Sequence, residues 1–309
     1  MIRHGHQGSV AGVKPPNEQV GVLIQSQGEE WRAFRNGPLA RYGAVGLLGM
    51  VVVLALFFAI RGRIKIESGP AGVVIERFNI IERFGHWLTA ISFIVLALTG
   101  LNILYGREVL MPILGKDIFA TLTMLGKYAH NFIAFAFMAG LAMIFVMWVR
   151  HNIPTLIDLK WLLQGGGLFS KGSHPPSKKF NAGQKLIFWA TILGGLSLSL
   201  SGWALLDPFQ YSFFSDTFAV LNTIGFNLPT DLTPMQEQQL AQLWHGAVSL
   251  VLIAIIFAHI YIGSIGMEGA FAAMGTGKVD LNWAKEHHNL WVKEVEEEQV
   301  SSAKGTPAE

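Results

Sequence analysis

No cysteine occurs in this 309-residue sequence, and only 14% of its residues are Asp, Glu, Lys or Arg. The first absence excludes disulfides, Cys-ligated iron–sulfur clusters and haem attached through a C-x-x-C-H motif. A metal must be held here by histidine or carboxylate, and any haem must be bound non-covalently. The second absence excludes an ordinary soluble domain, in which about 25% of residues are charged. With 51% hydrophobic residues, the chain reads as an all-α integral membrane protein with membrane lipid around it and no nucleic-acid partner. Its net charge of +2 says little; the distribution of that charge says more.

Five apolar runs are long enough to cross a bilayer as helices. They cover 42–60, 84 to about 104, 128–149, 186–206 and a final run that includes 242–262. The expected organisation is a polar leader (1–41) with little fixed structure and an extra N-terminal transmembrane helix (42–60). A polar link (61–83), a four-helix core (84–267) and a C-terminal tail (268–309) follow. Within the core, the partly apolar link 105–127 suggests an interfacial amphipathic segment. The run 186–206 carries Gly194, Gly195, Ser197, Ser199, Ser201 and Gly202, small residues that permit close helix approach. Thr233, Pro234 and Gln236 form a helix-start signature ahead of the last run. Lys and Arg number five in 61–83, six in 150–185 and four after 267, against three in 105–127 and none in 207–240. The first set and the C-terminus are therefore expected on the cytoplasmic side of a bacterial inner membrane. The five Lys or Arg of the leader run mildly against the external N-terminus that this implies.

The stretch 242–262, QLWHGAVSLVLIAIIFAHIYI, has no Asp, Glu, Lys or Arg but two histidines, His245 and His259. Fourteen residues are close to four helical turns, so both rings leave one face, about 21 Å apart along the axis. Ionisable rings inside a membrane helix call for a function. Two on one face, one per leaflet, suggest two stacked metal sites, and bis-histidine haem suits a membrane interior. The alternating direction of the helices supplies partners at both depths. His130 falls on the outer side with His245, and His86 on the inner side with His259. His151 is a rival inner ligand, but it lies 21 residues from His130, about 31 Å along a helix and so at or beyond the headgroups. His4, His6, His174, His287 and His288 lie in polar segments and read as solvated or interfacial.

Several of these segments resemble the gamma subunit of membrane-bound formate dehydrogenase, a dihaem cytochrome b. They are ERFGHW (82–87), KYAH (127–130), RHNIP (150–154), FNAGQK with FW after it (180–189), the LWH and AHIY pair, and WAKEHH (283–288). The resemblance covers about residues 75–295. It implies two haem b groups, with His130 and His245 as outer and His86 and His259 as inner iron ligands. It also implies a quinone site beside the inner haem, carried here by Asn181, Gly183 and Gln184 close to His259. Amide side chains and a glycine backbone suit a quinone carbonyl and ring. Asn181 also reads as a helix N-cap, with Lys185 at the interface. The partners implied are an iron–sulfur beta subunit and a molybdenum or tungsten catalytic alpha subunit. The chain itself has no pterin-binding motif, so no formate-oxidising site is expected in it.

Two other functions fit parts of the pattern. The cytochrome b subunit of a hydrogenase or thiosulfate-reductase-type complex would keep the chemistry and change the donor, and hydrogenase-type subunits look similar in the fourteen-residue spacing. A transporter or proton channel could use the histidines as a proton relay.

Overall fold

The computed structural model describes residues 28–169 and 172–304; His4 and His6 lie outside them. Among the described residues, five helices are long and apolar enough to cross a membrane. The first, α1, spans Gly28–Arg61. Its helical ladder widens into a π-turn at Arg35–Leu39 around Pro38, which has no N–H and crowds the preceding carbonyl. The helix thus starts fourteen residues before the charge-free run, and residues 28–41 are ordered where little fixed structure is expected from sequence.

The strand β1, Val74–Glu76, leads into α2, Ile80–Val109. Asn79 caps α2 and Glu82 closes the capping box. A tight turn through Met111–Leu114 and Gly115, at φ +78°, reverses the chain. Next comes α3, Lys116–Trp148. The link expected at 105–127 is therefore mostly helix, because α2 and α3 both project past their apolar runs. The short α4, Leu156–Leu163, has its own capping box of Thr155 and Asp158.

The fourth membrane helix, α5, spans Ala182–Leu206. The segment expected as a loop after it contains α6, Phe213–Asn222. Then α7, Pro234–Tyr261, starts from Thr233 with Pro234 at N1 and Gln236 completing the box, as the sequence signature predicts.

Side-chain size sets how closely these helices pack. A Cβ on Gly140 of α3 would lie 2.9 Å from the backbone nitrogen of Thr89 on α2, so only glycine permits that crossing. A Cβ on Gly195 of α5 would lie 3.1 Å from Leu141 and Phe137 of α3. On the far side of the bundle, α1 lies against α2 and α7, where Tyr105 Oη donates to Ala40 O at 2.8 Å.

The link after α1 and the C-terminal tail together build a cap over the end of the bundle that carries His86 and His259. β1 pairs antiparallel with β2, Lys278–Asp280, with Ile75 opposite Val279. The short helix α8, Leu281–His287, and α9, Asn289–Lys304, follow. Acidic side chains of the tail bind backbone N–H groups of the link: Asp280 accepts from Ala71, Glu286 from Glu67 and Ser68, and Glu268 from Ile66. Trp148, Phe180, Val279, Trp283, Trp291 and Val292 are buried together beneath them. A polar link and a polar tail thereby satisfy one another over an apolar floor.

Candidate haem-binding site

Two pairs of histidines meet inside the bundle. The rings of His130 on α3 and His245 on α7 have centres 6.2 Å apart at 61°. Those of His86 on α2 and His259 on α7 have centres 6.2 Å apart at 60°. A metal between two rings, with a metal–nitrogen bond of about 2 Å on each side and the ring radius added, needs about 6 Å between centres. Both pairs fit that requirement. Among the described residues no three His, Asp or Glu converge to hold a metal ion. Two rings alone leave a bare ion short of donors, whereas a porphyrin supplies the four it lacks. The helices also leave room beside the rings. A Cβ on Gly100 would sit 3.5 Å from His130 Cε1, and one on Gly202 3.3 Å from His245 Cε1.

The His130–His245 pair, the outer pair of the expected topology with His86–His259 as the inner one, is held by two hydroxyls. Thr99 Oγ1 lies 2.8 Å from His130 Nδ1, and Ser201 Oγ lies 3.0 Å from His245 Nδ1. Each is followed by one of the glycines just named, so Thr99-Gly100 on α2 and Ser201-Gly202 on α5 play matching parts. Sequence reading registers Ser201 and Gly202 only as small residues and passes over Thr99. The repeated hydroxyl-glycine pair is the signal that marks them.

The inner pair has different surroundings. The His86 ring lies 6.4 Å from Trp148, and Trp148 lies 5.4 Å from Phe180. This aromatic run joins the histidine pair to the start of α5. Trp148 Nε1 and Lys179 Nζ both donate to Glu82 Oε1, at 3.0 and 2.8 Å. Glu82 is thus at once the capping residue of α2 and the acceptor at the centre of a buried polar cluster. The rival ligand His151 is not in this pair; Arg150 Nε donates to its Nε2 at 3.1 Å, and its ring faces Phe180.

Asn181, Gly183 and Gln184 form the first turn of α5 and its cap. Asn181 Oδ1 accepts from Gln184 N at 2.9 Å, and Gln184 Oε1 accepts from Asn181 N at 3.0 Å. These bonds use the amide oxygens and leave the amide NH2 groups as donors. Gly183 faces Trp161 of α4, which a Cβ would meet at 3.1 Å. Arg77 Nη2 donates to Lys179 O at 2.6 Å and to Gln184 Oε1 at 3.4 Å. Arg77 is buried, stacks against Phe78 and Trp283, and is pushed down to about 9 by burial. Neither Arg77 nor Trp161 stands out in sequence.

Three expectations need correction here. Lys185 is buried rather than interfacial: its Nζ donates to Asp158 Oδ2 at 2.8 Å and to Ile153 O at 3.0 Å. Burial would raise the Asp158 carboxyl, but the bonds from Lys185 and Thr155 outweigh it and hold it below the usual range. His288 is not solvated. It is 1% exposed, with Nδ1 2.8 Å from Lys178 O and 3.2 Å from Ser177 Oγ. His287 is pushed down to about 4, chiefly by burial. Both rings are therefore neutral at pH 7, because the tail folds back over the bundle end. His174 remains half-exposed, 3.3 Å from Glu67.

A membrane-spanning helical bundle with paired histidines along one helix defines a membrane cytochrome b. The sequence matches the family described as prokaryotic cytochrome b561 over residues 77–277. It is 30% identical over 229 residues to the nitrate-inducible formate dehydrogenase cytochrome b556(Fdn) subunit of Escherichia coli strain K12, covering 74% of this chain and 94% of that protein. It is 29% identical to the formate dehydrogenase cytochrome b556(fdo) subunit of the same strain, covering 72% and 93%. To the formate dehydrogenase cytochrome b556 subunit of Haemophilus influenzae it is 24% identical, covering 71% and 83%. The chain belongs to the prokaryotic cytochrome b561 family, among the formate dehydrogenase cytochrome b subunits, and haem b is the cofactor this family implies. The matched residues include all four paired histidines and exclude α1.

Proposed function

We propose that this chain is the membrane cytochrome b subunit of a formate dehydrogenase complex. In this reading it takes electrons from an iron–sulfur beta subunit outside and passes them across the membrane through two b haems to quinone on the cytoplasmic side. A molybdenum or tungsten alpha subunit carries the formate-oxidising site. His130 and His245 hold the outer haem, and His86 and His259 the inner one. Haem b supplies a one-electron carrier at each position. The observation that carries the reading is the repetition of one ring geometry, 6.2 Å in both pairs, at two positions fourteen residues apart on α7.

The residues around the inner pair support a quinone there. In this reading the NH2 groups of Asn181 and Gln184, whose oxygens are already engaged, donate to a quinone carbonyl, with Arg77 holding the Gln184 amide. Gly183 and Trp161 offer a flat apolar surface for the ring. The ion pair of Glu82 and Lys179, at 2.8 Å, lies between this turn and the histidines and can hold a proton-exchanging group near the site. The Lys and Arg of the links support a cytoplasmic side for this end, and in this reading the protons for quinone reduction come from within.

Formate added to membranes containing the whole complex is expected to bring up b-type bands in the reduced-minus-oxidised spectrum. Bands raised by dithionite but never by formate would move the chain to a hydrogenase or thiosulfate-reductase-type complex. No b-type bands with either reductant would leave the proton-relay reading.

A further inference from the structure

Thr99 and Ser201 each make three contacts that together fix a proton. Thr99 Oγ1 reaches Val95 O at 2.7 Å and Leu96 O at 3.1 Å, four and three residues back on its own helix. Ser201 Oγ does the same with Ser197 O at 2.9 Å and Leu198 O at 3.2 Å. A hydroxyl has one hydrogen, and carbonyls only accept. That hydrogen is therefore committed to the helix backbone, and the lone pairs of the oxygen face histidine Nδ1. The contact at Nδ1 is then satisfied with the ring N–H donating to the hydroxyl, beside which the Leu96 and Leu198 carbonyls are further acceptors for His130 and His245. Both outer rings are fixed as the Nδ1–H tautomer, with a bare Nε2 free to ligate. The inner pair lacks this support on at least one side: His86 Nδ1 is buried with no hydrogen-bond partner among the described residues.

We infer that Thr99 and Ser201 are positioning residues that fix the tautomer of the outer ligands and set the outer haem at a lower potential than the inner one. The inference rests on the ligand assignment proposed above. An N–H donated to an acceptor makes the imidazole a stronger donor to its metal, and the hydroxyl accepts more strongly because it donates onward to a carbonyl. A more basic ligand favours ferric over ferrous iron. Two such bonds act on the outer pair, and His86 of the inner pair makes none, so electron transfer from outer to inner runs downhill.

The test is a spectropotentiometric titration of both haems in the intact complex. Thr99→Val with Ser201→Ala is expected to raise one midpoint potential by a shift of about tenfold in the ferrous–ferric equilibrium, about 59 mV for one electron. The other midpoint stays in place, with two haems per chain retained. Thr99→Ser, which keeps the hydroxyl, is expected to titrate as the wild type. If the double variant fails to assemble, Ser201→Ala alone is read for roughly half the shift. Unmoved midpoints, or a Thr99→Ser shift as large as that of Ser201→Ala alone, would overturn the inference. A His130→Ala variant that keeps two haems would instead overturn the ligand assignment beneath it.

Discussion

Replacing His130 or His245 with alanine is expected to lower the haem content from two per chain to one and to abolish quinone reduction by the complex. The two rings face each other across 6.2 Å, and among the described residues no third His, Asp or Glu joins them to take over. Loss of a hydrogen bond to the far nitrogen of a ligating histidine costs about 10–100-fold in metal affinity, and loss of an axial ring costs more. The outer haem should therefore be absent from purified protein, not merely weakened. The inner haem should persist, because His86 and His259 pack against each other and Trp148, away from the substitution. Haem per chain by pyridine haemochromogen assay reads this directly. Two haems in both variants would mean that the ring pair does not ligate iron.

Substitutions in the first turn of α5 are expected to act the other way, sparing both haems while quinone reduction falls at least about tenfold, the scale of one lost buried hydrogen bond. Asn181→Leu removes the proposed donor but also the cap of α5, which costs about 1 kcal/mol. Asn181→Asp separates the two effects. It keeps an oxygen to accept from Gln184 N and removes the NH2 donor, so it should retain full helix stability and still lose quinone reduction. Gly183→Leu should also lose quinone reduction, by driving a side chain into Trp161, at some cost to the packing of α5 against α4. In every case formate-dependent reduction of an artificial acceptor that draws electrons upstream should be unchanged. Full quinone reduction in the Asn181→Asp and Gly183→Leu variants would put the quinone elsewhere, beside the outer pair.

Much of this arrangement is legible in sequence because a membrane leaves few alternatives. Charge-poor runs of about twenty residues have to be helices. The fourteen-residue spacing on α7, with Lys and Arg alternating between links, is enough to match His130 with His245 and His86 with His259, and the rings meet in those pairs. Helix ends are less legible, because apolar content marks where lipid begins rather than where hydrogen bonding begins. α2 starts at its Asn79–Glu82 capping box, four residues before the apolar run that starts at Phe84, and α3 starts at Lys116. The cap is the least legible part. Its sheet pairs residues about 200 positions apart, and His288 is buried where the tail packs on Ser177 and Lys178, about 110 positions back in sequence. Thr99 is hidden for a different reason: a lone hydroxyl in an apolar helix ordinarily serves its own backbone, and its contact with His130 depends on helix packing.

The central claim is that electrons enter at the His130–His245 end and reach quinone at the His86–His259 end, so turnover moves charge across the membrane although no proton passes through the protein. Its most direct test is the membrane potential developed by the complete complex in sealed proteoliposomes supplied with formate and quinone. The account predicts a potential, negative on the side where quinone takes up protons, that collapses with an ionophore and is absent when the artificial acceptor replaces quinone. Steady quinone reduction with no potential would contradict it.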